Sequence, residues 1–385
     1  MNLKNHSRRT ISAFTIASSL IMSGCANMPN PLNLAMPAQN DKTITIIEQG
    51  SFFVGGREIK APGTYDPTQG TTSTDPGQNF WVDQMYVQYQ IPANRRKYPL
   101  ILVHGGGGTG RVWETTPDGR EGFQTLMLRR GFPVYIVDFP RRGRASFPSF
   151  SGPFGTLAGN PEVANRTGRA GLQYAWSRWR LGPKYPEVFP VQQFPMNAVD
   201  SFMQHLVPTI SDDREIISGA LIKLLEKIGP AILVTHSQSG LFGWLAGARS
   251  PSVMGIVSYE PGFVFQKGEV PPAIPLFKGT QPSGTPVTPA EFDNLARIPI
   301  QVVYGDNIPK QPIPDLVADG RRAQVVTSKM FVDALNKKGS GNASVLHLPD
   351  AGLFGNSHFM FSDLNNVLVA DQLSLFLSAK GLDIR

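Results

Sequence analysis

The run Ala231-Ile232-Leu233-Val234-Thr235-His236-Ser237-Gln238-Ser239-Gly240 constrains this chain more than any other stretch. Apolar, β-branched residues end abruptly at a serine set among small residues, and a helical pattern from Leu241 to Ala248 starts at once. A strand that turns so sharply into a helix holds its apical serine out above a sheet, the arrangement called a nucleophile elbow. The turn exposes the hydroxyl to a base and aims the next backbone N–H, that of Gln238, at a developing oxyanion. The usual elbow has glycine two residues to either side of the serine, because strand and helix pass too close for larger side chains. Here Thr235 and Ser239 take those places. With Ser239 at the apex the flanks would be Ser237 and Leu241, and a leucine crowds the turn. Ser237, directly after the strand and between two compact residues, is the expected nucleophile.

A second segment points the same way. Tyr98-Pro99-Leu100-Ile101-Leu102-Val103 reads as a short buried strand and runs into His104-Gly105-Gly106-Gly107-Gly108. A glycine loop there lets the backbone approach a substrate carbonyl and supplies a second oxyanion N–H, with Gly106 the expected donor. A phosphate-cradling role fits poorly, because no Gly-Lys-Ser/Thr closes the run.

Six histidines are present. His6 falls in an export signal, His104 in the glycine loop, and His205 in an expected helix. His236 points away from Ser237 and shapes the turn, while His347 sits in an apolar strand. His358, in Gly355-Asn356-Ser357-His358, follows the last strand, where the chain order Ser…acid…His puts the general base. Two carboxylates end strands and could orient it. Glu260 closes the sixth strand and Asp306 the seventh.

Strands alternate with helical patterns, which argues for a mostly parallel sheet covered on both faces, an α/β fold. Eight strands are expected, at 43–48, 81–90, 98–103, 133–139, 231–236, 254–259, 300–304 and 343–348. Helices are expected at 123–130, 214–228, 241–248, 327–338 and 366–379. Two insertions break the alternation, at about 141–212 and 262–297, each too long for an ordinary connection. The first carries Phe147, Phe150, Phe154, Trp176, Trp179 and Phe189, and both read as lids over an apolar pocket.

The first 24 residues read as a signal peptide. Lys4, Arg8 and Arg9 precede a short apolar segment from Thr10 to Met22, too short to span a bilayer. Met22-Ser23-Gly24-Cys25 resembles a bacterial lipobox, and Cys25 is the sole cysteine, so lipidation of Cys25 is expected and no intramolecular disulfide can form. Residues 25–41, with three prolines, would be a flexible tether, and 42–385 the folded domain. Ala26 after the cysteine resembles lipoproteins sent to the outer membrane. The formal net charge is +7, of which the signal carries three positive charges. The short clusters Arg95-Arg96-Lys97 and Arg141-Arg142-Gly143-Arg144 lack the interleaved aromatics of a nucleic-acid groove, so no nucleic-acid partner is expected. The second cluster can reach the rim of the site and orient an anionic substrate. Without a His-Glu-x-x-His run or a cysteine cage, no metal or organic cofactor is expected.

Taken together, the His104–Gly108 loop with Trp113, the Thr-His-Ser-Gln-Ser elbow, Tyr259-Glu260-Pro261-Gly262 and Gly355-Asn356-Ser357-His358, with Asp363 and Asn365-Asn366 behind it, resemble the α/β-hydrolase superfamily. Within it they are most similar to the bacterial esterase 713-like group. The resemblance spans roughly residues 43 to 380. In that group the acid ends the sixth strand, which implies Glu260, with Asp306 the alternative. The resemblance and the motifs together lead to a serine esterase acting on a small-molecule ester through Ser237, His358 and Glu260. A lactonase or amidase on the same residues, or a ligand-binding lipoprotein that keeps the scaffold without catalysis, are the alternatives.

Overall fold

The computed structural model describes residues 43–70, 75–146, 168–209, 214–339 and 341–385. The expected signal, the tether and Cys25 lie outside the described residues, as do Phe147, Phe150 and Phe154.

The main sheet has eight strands: β1 (Ile46–Lys60), β2 (Asn79–Pro92), β3 (Leu100–Val103), β4 (Val134–Asp138), β5 (Ala231–His236), β6 (Val253–Tyr259), β11 (Ile300–Tyr304) and β12 (Ala343–His347). Short strands β7 (Val264–Gln266), β8 (Ile274–Pro275), β9 (Thr280–Gln281) and β10 (Thr285–Val287) fall in the second insertion. The spatial order is β1-β2-β4-β3-β5-β6-β11-β12. β2 runs antiparallel to β1 and β4, and the other neighbours are parallel. Among the described residues the helices are α1 (Arg111–Glu114), α2 (Phe123–Arg129), α3 (Leu172–Arg178), α4 (Val199–Gln204), α5 (Arg214–Ile228), α6 (Ser239–Arg249), α7 (Pro289–Leu295), α8 (Leu316–Lys338) and α9 (Asn366–Ala379).

The two-residue period of the central strands divides the core into two layers. Ile101, Val103 and Leu233 face a layer with Leu221 and Leu224 of α5, Phe242 and Trp244 of α6 and Phe331 of α8. Leu100, Leu102, Ile232 and Val234 face the opposite layer, with Phe123 and Met127 of α2 and Val369, Leu373 and Leu377 of α9. β3 and β5 are buried along their whole length, so their C-terminal ends are fixed on both sides. Those ends carry the glycine loop and the elbow.

Three elements depart from the expected boundaries. β1 runs to Lys60 instead of Glu48, because β2 pairs with it from Ile46↔Pro92 to Lys60↔Asn79. Cross-strand pairing sustains a strand that Gly50, Gly55 and Gly56 interrupt locally. α8 begins at Leu316 instead of Thr327. Asp315 caps it by accepting the N–H groups of Val317 and Ala318 at 2.9 and 3.1 Å. In the first insertion Trp176 and Trp179 are buried in the second core layer and are not exposed on a lid, whereas Phe189 is half-buried. The second insertion buries Phe263 and Phe265 around Phe331 of α8.

Candidate active site

At the end of β5 the chain turns with Ser237 at φ +54°, a left-handed conformation that costs an L-residue about 1–2 kcal/mol. The neighbouring contacts hold it there. Ser237 N–H donates to Tyr259 O at 2.8 Å and Gly240 N–H to Ser237 O at 3.1 Å. The room usually made by flanking glycines is made elsewhere. Thr235 Oγ1 donates to Ser258 Oγ at 2.6 Å, and Gly243 opposite leaves space where a Cβ would lie 2.8 Å from the Thr235 methyl. Ser239 Oγ accepts the His236 N–H at 2.8 Å and lies 3.0 Å from the carbonyl oxygens of Val103 and His236. It ties the elbow to the end of β3. At Gly240 a Cβ would meet Pro261 Cβ at 2.2 Å, so glycine is obligatory one residue later than the usual pattern has it.

The glycine loop is set by His104. Its Nδ1 donates to Gly105 O at 2.7 Å and its Nε2 accepts the Phe139 N–H at 3.2 Å, which fixes one neutral tautomer. Burial holds its pKa at about 4. Asp138, at the end of β4, accepts the Gly110 N–H at 2.6 Å and pairs with Arg144. Gly106 is exposed at the tip, and a Cβ there would lie 3.0 Å from Gln238 Oε1. The loop tip and the residue after Ser237 are therefore neighbours. Gln238 stands at the N-terminus of α6, where first-turn N–H groups point out of the helix.

His358 sits on the loop after β12 with its side chain buried. Its Nδ1 lies 2.6 Å from Glu260 Oε2. Glu260 ends β6 at φ +49°, a second left-handed residue at a strand end that turns its side chain into the same cleft. It is fully buried and accepts at both oxygens: from Arg180 Nη1 at 2.8 Å and His358 on Oε2, and from Arg180 Nη2 and Gly305 N–H (3.0 Å) on Oε1. Burial opposes its ionisation, but Arg180 and His358 outweigh burial and hold the carboxyl well below its ordinary range. Burial, Arg321 and His236 in turn hold His358 well below 6.5, so the ring is neutral and Nε2 is an acceptor. That nitrogen lies 3.3 Å from Arg321 Nη2, and no hydrogen bond joins it to Ser237 Oγ.

Asp306 plays a different part. Its carboxylate accepts the Asn307 N–H at 2.6 Å and the Gly355 N–H at 2.8 Å, and its own N–H donates to Asn356 O at 2.8 Å. It anchors the start of the histidine loop. The loop is also held by His236, whose Nε2 donates to His358 O at 3.0 Å, and by the His358 N–H on Trp179 O at 3.0 Å. Behind it, buried Asp363 accepts from Ser357 N and Oγ (both 2.7 Å) and Asn356 Nδ2 (3.0 Å). Burial raises this acid to about 7.

Sequence reasoning missed Arg180, Arg321 and the clamp made by Asp363. Arg180 lies in an insertion without periodicity and Arg321 in a stretch not expected to be helical, while Asp363 was named only as part of the family resemblance, with no role given to it. The Arg141–Arg144 cluster disperses. Arg141 pairs with Asp83, Arg144 with Asp138, and Arg142 donates to Gln238 Oε1 at 3.1 Å.

Residues 100–350 match the model of the alpha/beta hydrolase family. The chain belongs to that family. The hydrolase is similar to a solved novel bacterial esterase, 32% identical with a TM-score of 0.72, over 90% of this chain and 99% of the other. It is also 29% identical to the probable secreted lipase phiG of a fungal species (strain ATCC 74256), over 76% of this chain and 85% of that one. The sheet order and helix layers described above are those of an α/β-hydrolase fold.

Proposed function

We propose that the hydrolase is a serine esterase that cleaves carboxylic esters through an acyl-enzyme on Ser237. The observation that carries this reading is the 2.6 Å contact between His358 Nδ1 and the ionised, doubly anchored Glu260, one strand from the elbow. The carboxylate fixes the Nδ1–H tautomer, which leaves Nε2 to take the Ser237 proton as Oγ attacks the ester carbonyl. The N–H groups of Gln238 and Gly106 stabilise the tetrahedral oxyanion. His358 then protonates the departing alkoxide and later takes a proton from the water that attacks the acyl-enzyme. No step requires a metal or organic cofactor. Asp306 is assigned to the histidine loop and not to the acid role, because it accepts the Asn307 and Gly355 N–H groups and makes no hydrogen bond to the His358 ring, whose Nδ1 lies on Glu260.

The same reading includes export and anchoring. Residues 1–24 act as a lipoprotein signal, Cys25 carries the lipid, and 25–41 tether the domain to the cell envelope, with the outer membrane as destination. The likeness to a probable secreted lipase supports export alone.

The test is hydrolysis of p-nitrophenyl esters from acetate to long acyl chains by the domain from residue 26 and its Ser237→Ala variant. Turnover that disappears in Ser237→Ala is expected. Undiminished turnover in the variant overturns the reading.

A further inference from the structure

Arg321 projects from α8, with only 6% of the residue exposed. Nη1 donates to Gln324 Oε1 at 2.8 Å, and Nη2 lies 3.3 Å from His358 Nε2. Among the described residues no carboxylate stands within ion-pair distance of it. Two other buried arginines are matched: Arg180 with Glu260, and Arg322 with Asp319. Glu260 cannot serve Arg321 as well, since both its oxygens are engaged by Arg180, His358 and Gly305. A buried guanidinium without a counter-charge is costly unless an anion arrives to pair with it. Burial lowers Arg321 to about 10; the charge of Glu260, not in direct contact, opposes this and Arg180 and Arg178 add to it, so Arg321 stays charged at neutral pH.

The location gives that charge a purpose. Nε2 of His358 is the atom that must receive the Ser237 proton, and its one lone pair cannot accept fully from both Arg321 and Ser237. Gln324, the partner of Nη1, also lines a cavity of about 220 Å³ between α6, α8 and the second insertion, but Ser237, His358 and Arg321 do not line it, so it is the contact with His358 that places the guanidinium at the reacting atoms.

We propose that Arg321 is a specificity-determining residue that binds a free carboxylate on the ester, a few bonds from the scissile carbonyl. The substrate class is then a half-ester of a dicarboxylic acid or a similar anionic ester. A carboxylate pairs with a guanidinium more strongly than an imidazole does, so a bound anionic substrate draws Arg321 away and frees Nε2 for Ser237. A neutral ester leaves Arg321 on the base. This inference rests on the serine esterase reading for its catalytic part, but its binding part does not.

The experiment compares monomethyl glutarate with methyl pentanoate, close in size and differing in charge, by proton release at constant pH. The wild type is expected to favour the half-ester by about 10–100-fold in kcat/KM, the range of a charge-assisted bond. Arg321→Met should bring the ratio to about one, and Arg321→Lys should retain part of it. A parallel measurement follows the melting temperature with millimolar glutarate. It should rise in the wild type and not in Arg321→Met, with the unliganded melting curve reporting that the variant folds. A glutarate-dependent rise without turnover of either ester would keep the anion site and overturn the esterase reading. Ser237-dependent turnover with no preference for the half-ester and no glutarate effect would overturn the assignment of Arg321. An equal loss of both esters in Arg321→Met, without a glutarate effect in the wild type, would do so too.

Discussion

Glu260→Gln separates the two duties of this carboxylate, and the two losses differ in kind. The first is electrostatic. Arg180 has 2% of its side chain exposed and makes a two-pronged pair with Glu260. An amide leaves that guanidinium buried without a counter-charge, a loss of about 3–5 kcal/mol of stability. The second is catalytic. An amide must turn either its oxygen or its NH2 toward His358 Nδ1, and Arg180 competes for the oxygen. An NH2 facing Nδ1 stabilises the wrong tautomer and puts the proton on Nε2, which costs about 10⁴-fold in kcat, as amide replacements of a triad acid do. The double variant Arg180→Met/Glu260→Gln separates the terms. Removing the stranded charge should recover most of the lost stability in urea unfolding, while kcat stays near the Glu260→Gln value. Asp306→Asn should cost less than 10-fold in kcat: the two N–H groups sit on different oxygens, so an amide meets only one of them, but Asp306 makes no hydrogen bond to the His358 ring. A Glu260→Gln variant that keeps kcat within 10-fold, or an Asp306→Asn variant that loses 10⁴-fold, would refute the assignment of the acid.

Stability should fall steeply in mild acid. Burial holds His104 and His205 at about 4 and His236 at about 3, and His358 is also held well below 6.5, so all four stay neutral while the unfolded chain takes up protons below pH 6.5. Asp363, raised to about 7 by burial, works the other way, since the folded state keeps a proton that the unfolded state has lost. Near pH 5 the three histidines held at about 3–4, less the proton kept by Asp363, leave the unfolded state binding at least about two more protons, a slope of at least about 3 kcal/mol per pH unit. Urea unfolding from pH 8 to 5 should show this fall, and a flat profile would contradict it. Asp363→Asn should stay within about 1 kcal/mol of wild type at pH 7, because one amide oxygen can accept two N–H groups while its NH2 donates to Ser357 Oγ. Asp363→Ala strands those donors and should cost about 2–4 kcal/mol in thermal or urea unfolding, with kcat falling as the His358 loop loosens. Gly240→Ala should cost at least 2–3 kcal/mol by overpacking against Pro261, whereas Gly219→Ala, in α5 with open space around its Cβ position, should stabilise by about 0.5–1 kcal/mol in the same melting assay.

What the sequence disclosed and what it concealed divide along physical lines. β3, β5, β6 and β11 are short apolar runs buried on both faces, so composition alone marks them, and each ends at a chemically distinctive residue. The sharp strand-to-helix turn at Ser237 and the loop carrying His358 were legible because their neighbours, small residues and glycines, are dictated by local geometry. β1 was truncated in the reading because its second half owes its extension to pairing with β2, a contact some 30 residues away that no local pattern records. Trp176 and Trp179 looked like lid aromatics because an aperiodic insertion gives no sign of which side it packs on, and they belong to the core. Arg180 and Arg321 were invisible for the same reason. An arginine on a surface helix and one aimed at a buried histidine have identical local sequence, and only the fold distinguishes them. The offset of the crowded glycine from the usual elbow position to Gly240 has a cause in Pro261, which follows Glu260 and lies against the first turn of α6.

The serine esterase reading requires Ser237 to act as a nucleophile with His358 as its base. It is tested most directly by treating the domain with a serine-directed fluorophosphonate and mapping the adduct by peptide mass spectrometry. The account predicts a single stoichiometric adduct on Ser237, lost in Ser237→Ala and slowed by orders of magnitude in His358→Ala. No adduct, or an adduct on Ser239 or another serine with Ser237 unmodified, would contradict it.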